Sequence, residues 1–129
     1  MADLAYEIVR FSEIVDPEVR PFEHNSLVKE DKNPKLKPFT DMARVFLKSG
    51  ICVVREKLWA KELQGVDPVE YMVSMLKTNS REELEKEFIG TPAKDFLSNV
   101  SERCLASVRF LLLPTFDYLT LSAKEYRKA

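Results

Sequence analysis

Apolar side chains recur along this chain at intervals of three and four, and no run alternates apolar and polar residues as a half-buried strand requires. The pattern therefore predicts helices throughout. Residues 4–15 place Leu4, Ile8, Phe11 and Val15 on one stripe, with Asp3 as the cap and Asp16-Pro17 as the stop. From 39 to 64 the stripe is Ala43, Leu47, Ile51, Val54 and Leu58. Gly50 lies beside it as a kink or a point of close approach, and Gly65 is the stop. Asp67-Pro68-Val69-Glu70 is a strong helix start, with Asp67 at the N-cap and Pro68 at the first helical position. The helix it opens buries Val69, Met72, Val73 and Leu76.

Ser80 and Glu83 form a capping box for a short acidic helix that buries Leu84 and Phe88 and ends at Gly90. Thr91-Pro92 then opens the longest stripe, Ala93, Phe96, Leu97, Val100, Cys104, Val108 and Leu111, running unbroken to Pro114. Leu105 and Leu112 widen it beyond one face, so this segment is expected to be the central helix. A last helix carries Phe116, Leu119, Ala123 and Tyr126. The fold expected is mostly α: a single domain over residues 1–129, a compact bundle of five or six helices. One long proline-rich loop over residues 16–38 holds Pro17, Pro21, Pro34 and Pro38.

Length supports this count, because 129 residues suit one domain with one core. Charge narrows the function. Twenty Lys and Arg against 21 Asp and Glu give a net charge of −1, so no global basic field draws the chain to nucleic acid or membrane. The longest strongly apolar run, residues 110–113, is far below the ~20 residues of a membrane span, and the N-terminus has no signal-peptide pattern. Two cysteines, Cys52 and Cys104, are too few for a disulfide framework. A soluble cytoplasmic protein with no membrane partner is expected.

Catalytic chemistry is not expected. His24 is the only histidine and has no nucleophile or orienting group near it in sequence. The two cysteines lie 52 positions apart, without the short paired spacing of a metal site. The acids of residues 82–87 sit in the first turns of a helix, where the dipole favours them. With three glycines and no phosphate-loop motif, no cofactor, metal or catalytic residue is assigned.

Two surface features remain. Arg44, Lys48 and Arg55 recur at spacings of 4 and 7, Trp59 follows after four more, and Lys29, Lys32, Lys35 and Lys37 lie just upstream. Such cations beside an aromatic suit a nucleic-acid backbone, although a solvated helix face has the same pattern. At the C-terminus, Leu113, Phe116, Tyr118 and Leu121 belong to a crowded apolar run that serves either as core or as a contact patch for another subunit. Lys and Glu are plentiful, with one glutamine and four asparagines, the trend of hyperthermophile proteins.

In size, helical character, the basic line Arg44, Lys48, Arg55, the segment Asn33-Pro34-Lys35-Leu36-Lys37-Pro38 and the apolar C-terminal run, the chain resembles the small subunit of archaeal type I-A CRISPR surveillance complexes (the archaeal Cascade). The resemblance covers the chain as a whole and involves no short diagnostic motif. It implies a non-catalytic antiviral role in which copies pack along a guide-RNA complex and steady its strands. The partners implied are other subunits of the ribonucleoprotein, the backbone of guide RNA or target DNA, and further copies of the chain itself. Sequence reading in that setting belongs to base pairing. The alternative reading is a helical protein–protein adaptor or homo-oligomer without nucleic acid.

Overall fold

A computed structural model describes residues 4–15 and 32–128. Seven helices and no strand occur among them: α1 (Leu4–Val15), α2 (Lys37–Trp59), α3 (Pro68–Thr78), α4 (Arg81–Glu87), α5 (Pro92–Asn99), α6 (Glu102–Leu111) and α7 (Leu113–Lys128). The mostly helical bundle is as the periodicity implies, but it has one helix more than the upper count. Of the expected loop over residues 16–38, the part from 16 to 31 lies outside the described residues. So do the Asp3 cap, His24 and Lys29. The described remainder is a tight turn in which Asn33 accepts from the Lys35 and Leu36 amides, and α2 begins at Lys37, one residue before Pro38. Proline is tolerated there because the first helical turn has no use for its missing amide hydrogen.

The extra helix arises within residues 92–111, where one central helix was expected. Val100 turns extended and Ser101 accepts from the Cys104 amide, so α5 ends and α6 starts anew. A serine followed by an acidic first turn is a start signal, and the apolar stripe across it concealed the break. The hub of the bundle is instead α2, which packs against α1, α3, α5 and α6. Its inner face buries Ala43, Phe46, Leu47, Val53, Val54 and Leu58. Phe46 meets Phe88 and Phe96 edge-on, with ring centroids 5.6 and 6.0 Å apart. Gly50 admits a neighbour, as its position suggested, though the neighbour is a side chain: a Cβ there would lie 3.0 Å from both methyls of Leu76 on α3.

Helix ends are tied down by side chains, as free end groups inside a fold require. Asp67 accepts from the Val69 and Glu70 amides, and Ser80 and Glu83 complete their reciprocal box. For α5 the cap comes from another helix: the hydroxyl of Thr91 donates to the Phe88 carbonyl, and Ser49 on α2 accepts from the Ala93 amide. Arg109, in the last turn of α6, donates from Nε to the Leu76 carbonyl at 2.9 Å and from Nη2 to the Asn79 carbonyl, placing a cation at the negative end of α3.

Arg10 of α1 is the most deeply buried charge among the described residues. Its guanidinium donates to Asp67 Oδ2 at 3.0 Å and to the Ala123 carbonyl of α7 at 3.4 Å, with both side chains of the Arg10–Asp67 pair buried. One carboxylate thus caps α3 with Oδ1 and holds α1 with Oδ2. Removing one partner of a buried pair is typically a loss of about 3–5 kcal/mol. Arg10→Ala should therefore lower stability by about that amount. Asp67→Asn, which keeps the cap oxygen, should lose the ion pair alone, and chemical denaturation of both single variants and the double variant measures the coupling.

Candidate nucleic-acid interface

The outer face of α2 holds the expected basic line. At about 100° per residue, Lys37, Arg44, Lys48, Arg55 and Trp59 fall within an arc of about 60° on the side turned away from the buried stripe. Lys37 and Lys48 are exposed, Arg44 and Arg55 half-buried, and Trp59 is 65% exposed. Cys52 is exposed in the same stripe. Lys32 and Lys35 are exposed in the turn that leads into the helix.

Asp41 was missed by reasoning on cations alone. It lies between Lys37 and Arg44 on this stripe, with its Oδ1 2.6 Å from Lys37 Nζ and 3.8 Å from an Arg44 Nη1 nitrogen. The i,i+4 and i,i+3 spacings were visible in the sequence. Lys48 and Arg55 have no ion pair among the described residues, so the line is electrostatically uneven: one carboxylate offsets part of the charge in its first half, and none is paired in its second.

The end of α2 fixes the position of Trp59. The helix stops at that residue, five short of the expected Gln64. Lys61 takes a left-handed conformation with φ 60°, its amide bonds the Leu58 carbonyl, and the Glu62 amide bonds the Lys57 carbonyl. This is a Schellman closure with lysine at the position that favours glycine. An ion pair between Lys57 and Glu62, at 3.5 Å, spans the two positions where an apolar contact is usual. Lys57 also pairs with Glu87 of α4 at 3.3 Å and lies over the ring of Tyr71, whose hydroxyl donates to Glu87 at 3.4 Å. Burial pulls the Lys57 ammonium down, but the Glu87 carboxylate, with smaller contributions from Tyr71 and Glu62, outweighs it and holds Lys57 above its ordinary value. Burial, then the Glu87 charge, push the Tyr71 phenol up.

The C-terminal residues divide. Phe116 is 1% exposed and belongs to the core, which corrects its assignment to a contact patch: it faces inward with Leu119 and Ala123, at the 3–4 spacing of the α7 core stripe. Leu113 is half-buried and packs against the same core. Tyr118 and Leu121 do face outward, 36% and 60% exposed. Phe110, absent from the expected contact set, is 71% exposed. With Pro114 these residues follow one another at spacings of 4, 4 and 3 across the corner where α6 and α7 bend by 50°. No single helix among the described residues is long and apolar enough to cross a membrane.

A shallow groove of about 320 Å³ between α2 and α5 is lined by Asp41, Met42, Val45, Pro92, Asp95 and Phe96. Among the described residues no cluster of three or more His, Cys, Asp or Glu is placed to hold a metal ion. Cys104 is half-buried, its Sγ 3.8 Å from the Met42 sulfur. No family model, curated protein or solved structure matches the chain.

Two outcomes follow from the end of α2. Left-handed backbone costs a non-glycine residue about 1–2 kcal/mol, partly offset by the greater freedom of glycine when unfolded. Lys61→Gly should therefore raise stability by about 0.5–1 kcal/mol in urea denaturation. Lys57 and Tyr71 hold their protons more tightly when folded, so their contribution is complete below their ordinary values of 10.5 and 10.0. It is lost as pH rises through the higher folded values. The melting temperature should fall in that alkaline range, and Glu87→Gln should flatten the fall.

Proposed function

We propose that the chain is a non-catalytic helical accessory subunit of a ribonucleoprotein, of the kind found in the CRISPR surveillance complexes it resembles. It grips nucleic-acid backbone through the outer face of α2 and meets neighbouring subunits through the stripe Phe110, Pro114, Tyr118 and Leu121. The observation that supports this reading is the shared placement of Lys37, Arg44, Lys48, Arg55 and Trp59 on the side of α2 turned away from the described helices that pack on it. Backbone contact needs cations at helical spacing and no reacting group, and its strength depends on local charge more than on the net charge of −1. Guide RNA or target DNA supplies the phosphates in this reading, and base pairing supplies the specificity.

A second reading, a protein adaptor without nucleic acid, is favoured by Phe110 and Leu121, two large apolar side chains that remain 71% and 60% exposed. Reversal of charge separates the two. Lys48→Glu with Arg55→Glu should abolish retention of a single strand in a gel at low salt, while the melting temperature stays within about 2 °C, since surface changes alter stability little. Unchanged retention in the double variant removes the nucleic-acid reading and leaves the adaptor.

A further inference from the structure

The basic line of α2 has two halves with different chemistry, and the difference identifies what the face takes. In the first half Asp41 occupies the stripe between Lys37 and Arg44 and pairs with both, so a phosphate arriving there competes with a carboxylate already in place. In the second half Lys48 and Arg55 stand without an ion partner among the described residues, and Trp59 ends the row. At a rise of about 1.5 Å per residue, Lys48 to Arg55 covers about 10 Å and Arg55 to Trp59 about 6 Å, a length suited to a few nucleotides. The backbone that carries Trp59 is held at this end by the Schellman closure immediately behind it and by the Lys57–Glu87 brace on the inner side of the same turn. Trp59 itself is 65% exposed, so its contact area is not consumed by packing.

We infer that this face takes an unpaired strand, with two successive backbone positions on Lys48 and Arg55 and one base stacked on Trp59, and that Asp41 restrains binding by occupying Lys37. The inference rests on the nucleic-acid reading above and adds to it the strandedness of the ligand, the stacking residue and the restraint. A duplex satisfies the two cations but keeps its bases stacked on one another, so the indole gains nothing from it. An acidic polypeptide satisfies the cations and also leaves the indole unused.

Trp59 is the only tryptophan, so its fluorescence reports on the site alone. The test titrates the full chain with a ten-residue oligothymidylate in low salt, reading Trp59 quenching and, in parallel, the anisotropy of a labelled copy of the strand. Quenching should saturate at the same concentration as anisotropy. A ten-pair duplex and polyglutamate should leave the indole unquenched. Trp59→Ala should weaken binding about 5- to 150-fold, the range for loss of one stacked base, and Trp59→Phe should retain most of it.

Asp41→Asn should tighten binding and steepen the dependence of log affinity on log salt. With about 0.7 per phosphate on a single strand, the slope should move from about −1.4, for two contacts, toward about −2.1, with Lys37 as the third. If the strand binds but Trp59 is not quenched and Trp59→Ala matches the parent, stacking is overturned while the backbone reading survives. Equal quenching by the duplex overturns the preference for an unpaired strand. An unchanged slope in Asp41→Asn overturns the restraint. If the strand fails to bind at all in low salt, the nucleic-acid reading and this inference fall together.

Discussion

Four helices close on α2, and that constraint governs the surface as well as the core. Among the described residues, a helix packed by α1, α3, α5 and α6 has one stripe left outside these contacts, and its charged side chains lie on that stripe or at its margins, except Lys57, which turns inward to Glu87. Burial of Phe46, Leu47, Val53, Val54 and Leu58 thereby gathers cations spread over 19 positions into one row. Packing and charge are two consequences of a single periodicity. The close approach of Leu76 over Gly50 shows how tight the inner side is, and a core packed to that density responds to each added methylene.

Much of this was legible in the chain because its punctuation is chemical. Asp67 before Pro68 and Ser80 before Glu83 act where they stand, since a cap needs only residues within one turn of it. The row on α2 was legible for the same reason: spacings of 4 and 7 keep residues on one face whatever packs behind them. Three things were hidden. The break at Val100 and Ser101 lay under a continuous apolar stripe, and a local cap outweighed that stripe. The end of α2 came at Lys61, whose left-handed turn is held by backbone hydrogen bonds and by Lys57 and Glu62, whereas sequence rules look to glycine. Phe116 was drawn into a patch by its apolar neighbours, because crowding along the chain does not reveal which side of α7 faces the core.

Charge within the row follows the same division between local and distant causes. The pairing of Asp41 with Lys37 and Arg44 is local and was readable from spacing. The brace of Lys57, Glu87 and Tyr71 is not, since it joins three helices and exists only once the bundle has closed. Borrowed capping is the same kind of feature: Ser49 serves α5 across 44 positions, and Arg109 serves α3 across about 30. Polar side chains thus assign each helix end a specific neighbour, which distinguishes this packing from other arrangements of seven apolar stripes.

The guanidinium of Arg10 reaches across 57 positions to Asp67 and 113 to Ala123. Closing loops of that length is entropically expensive, whereas α4 with α5 and α6 with α7 are joined by short turns and meet with little chain to order. Loop closure therefore predicts assembly from these near neighbours toward the far one, with the N-terminal helix docking last and opening first. Amide exchange in α1 should then proceed through this partial opening, at a lower free energy than the global transition that limits exchange in α2.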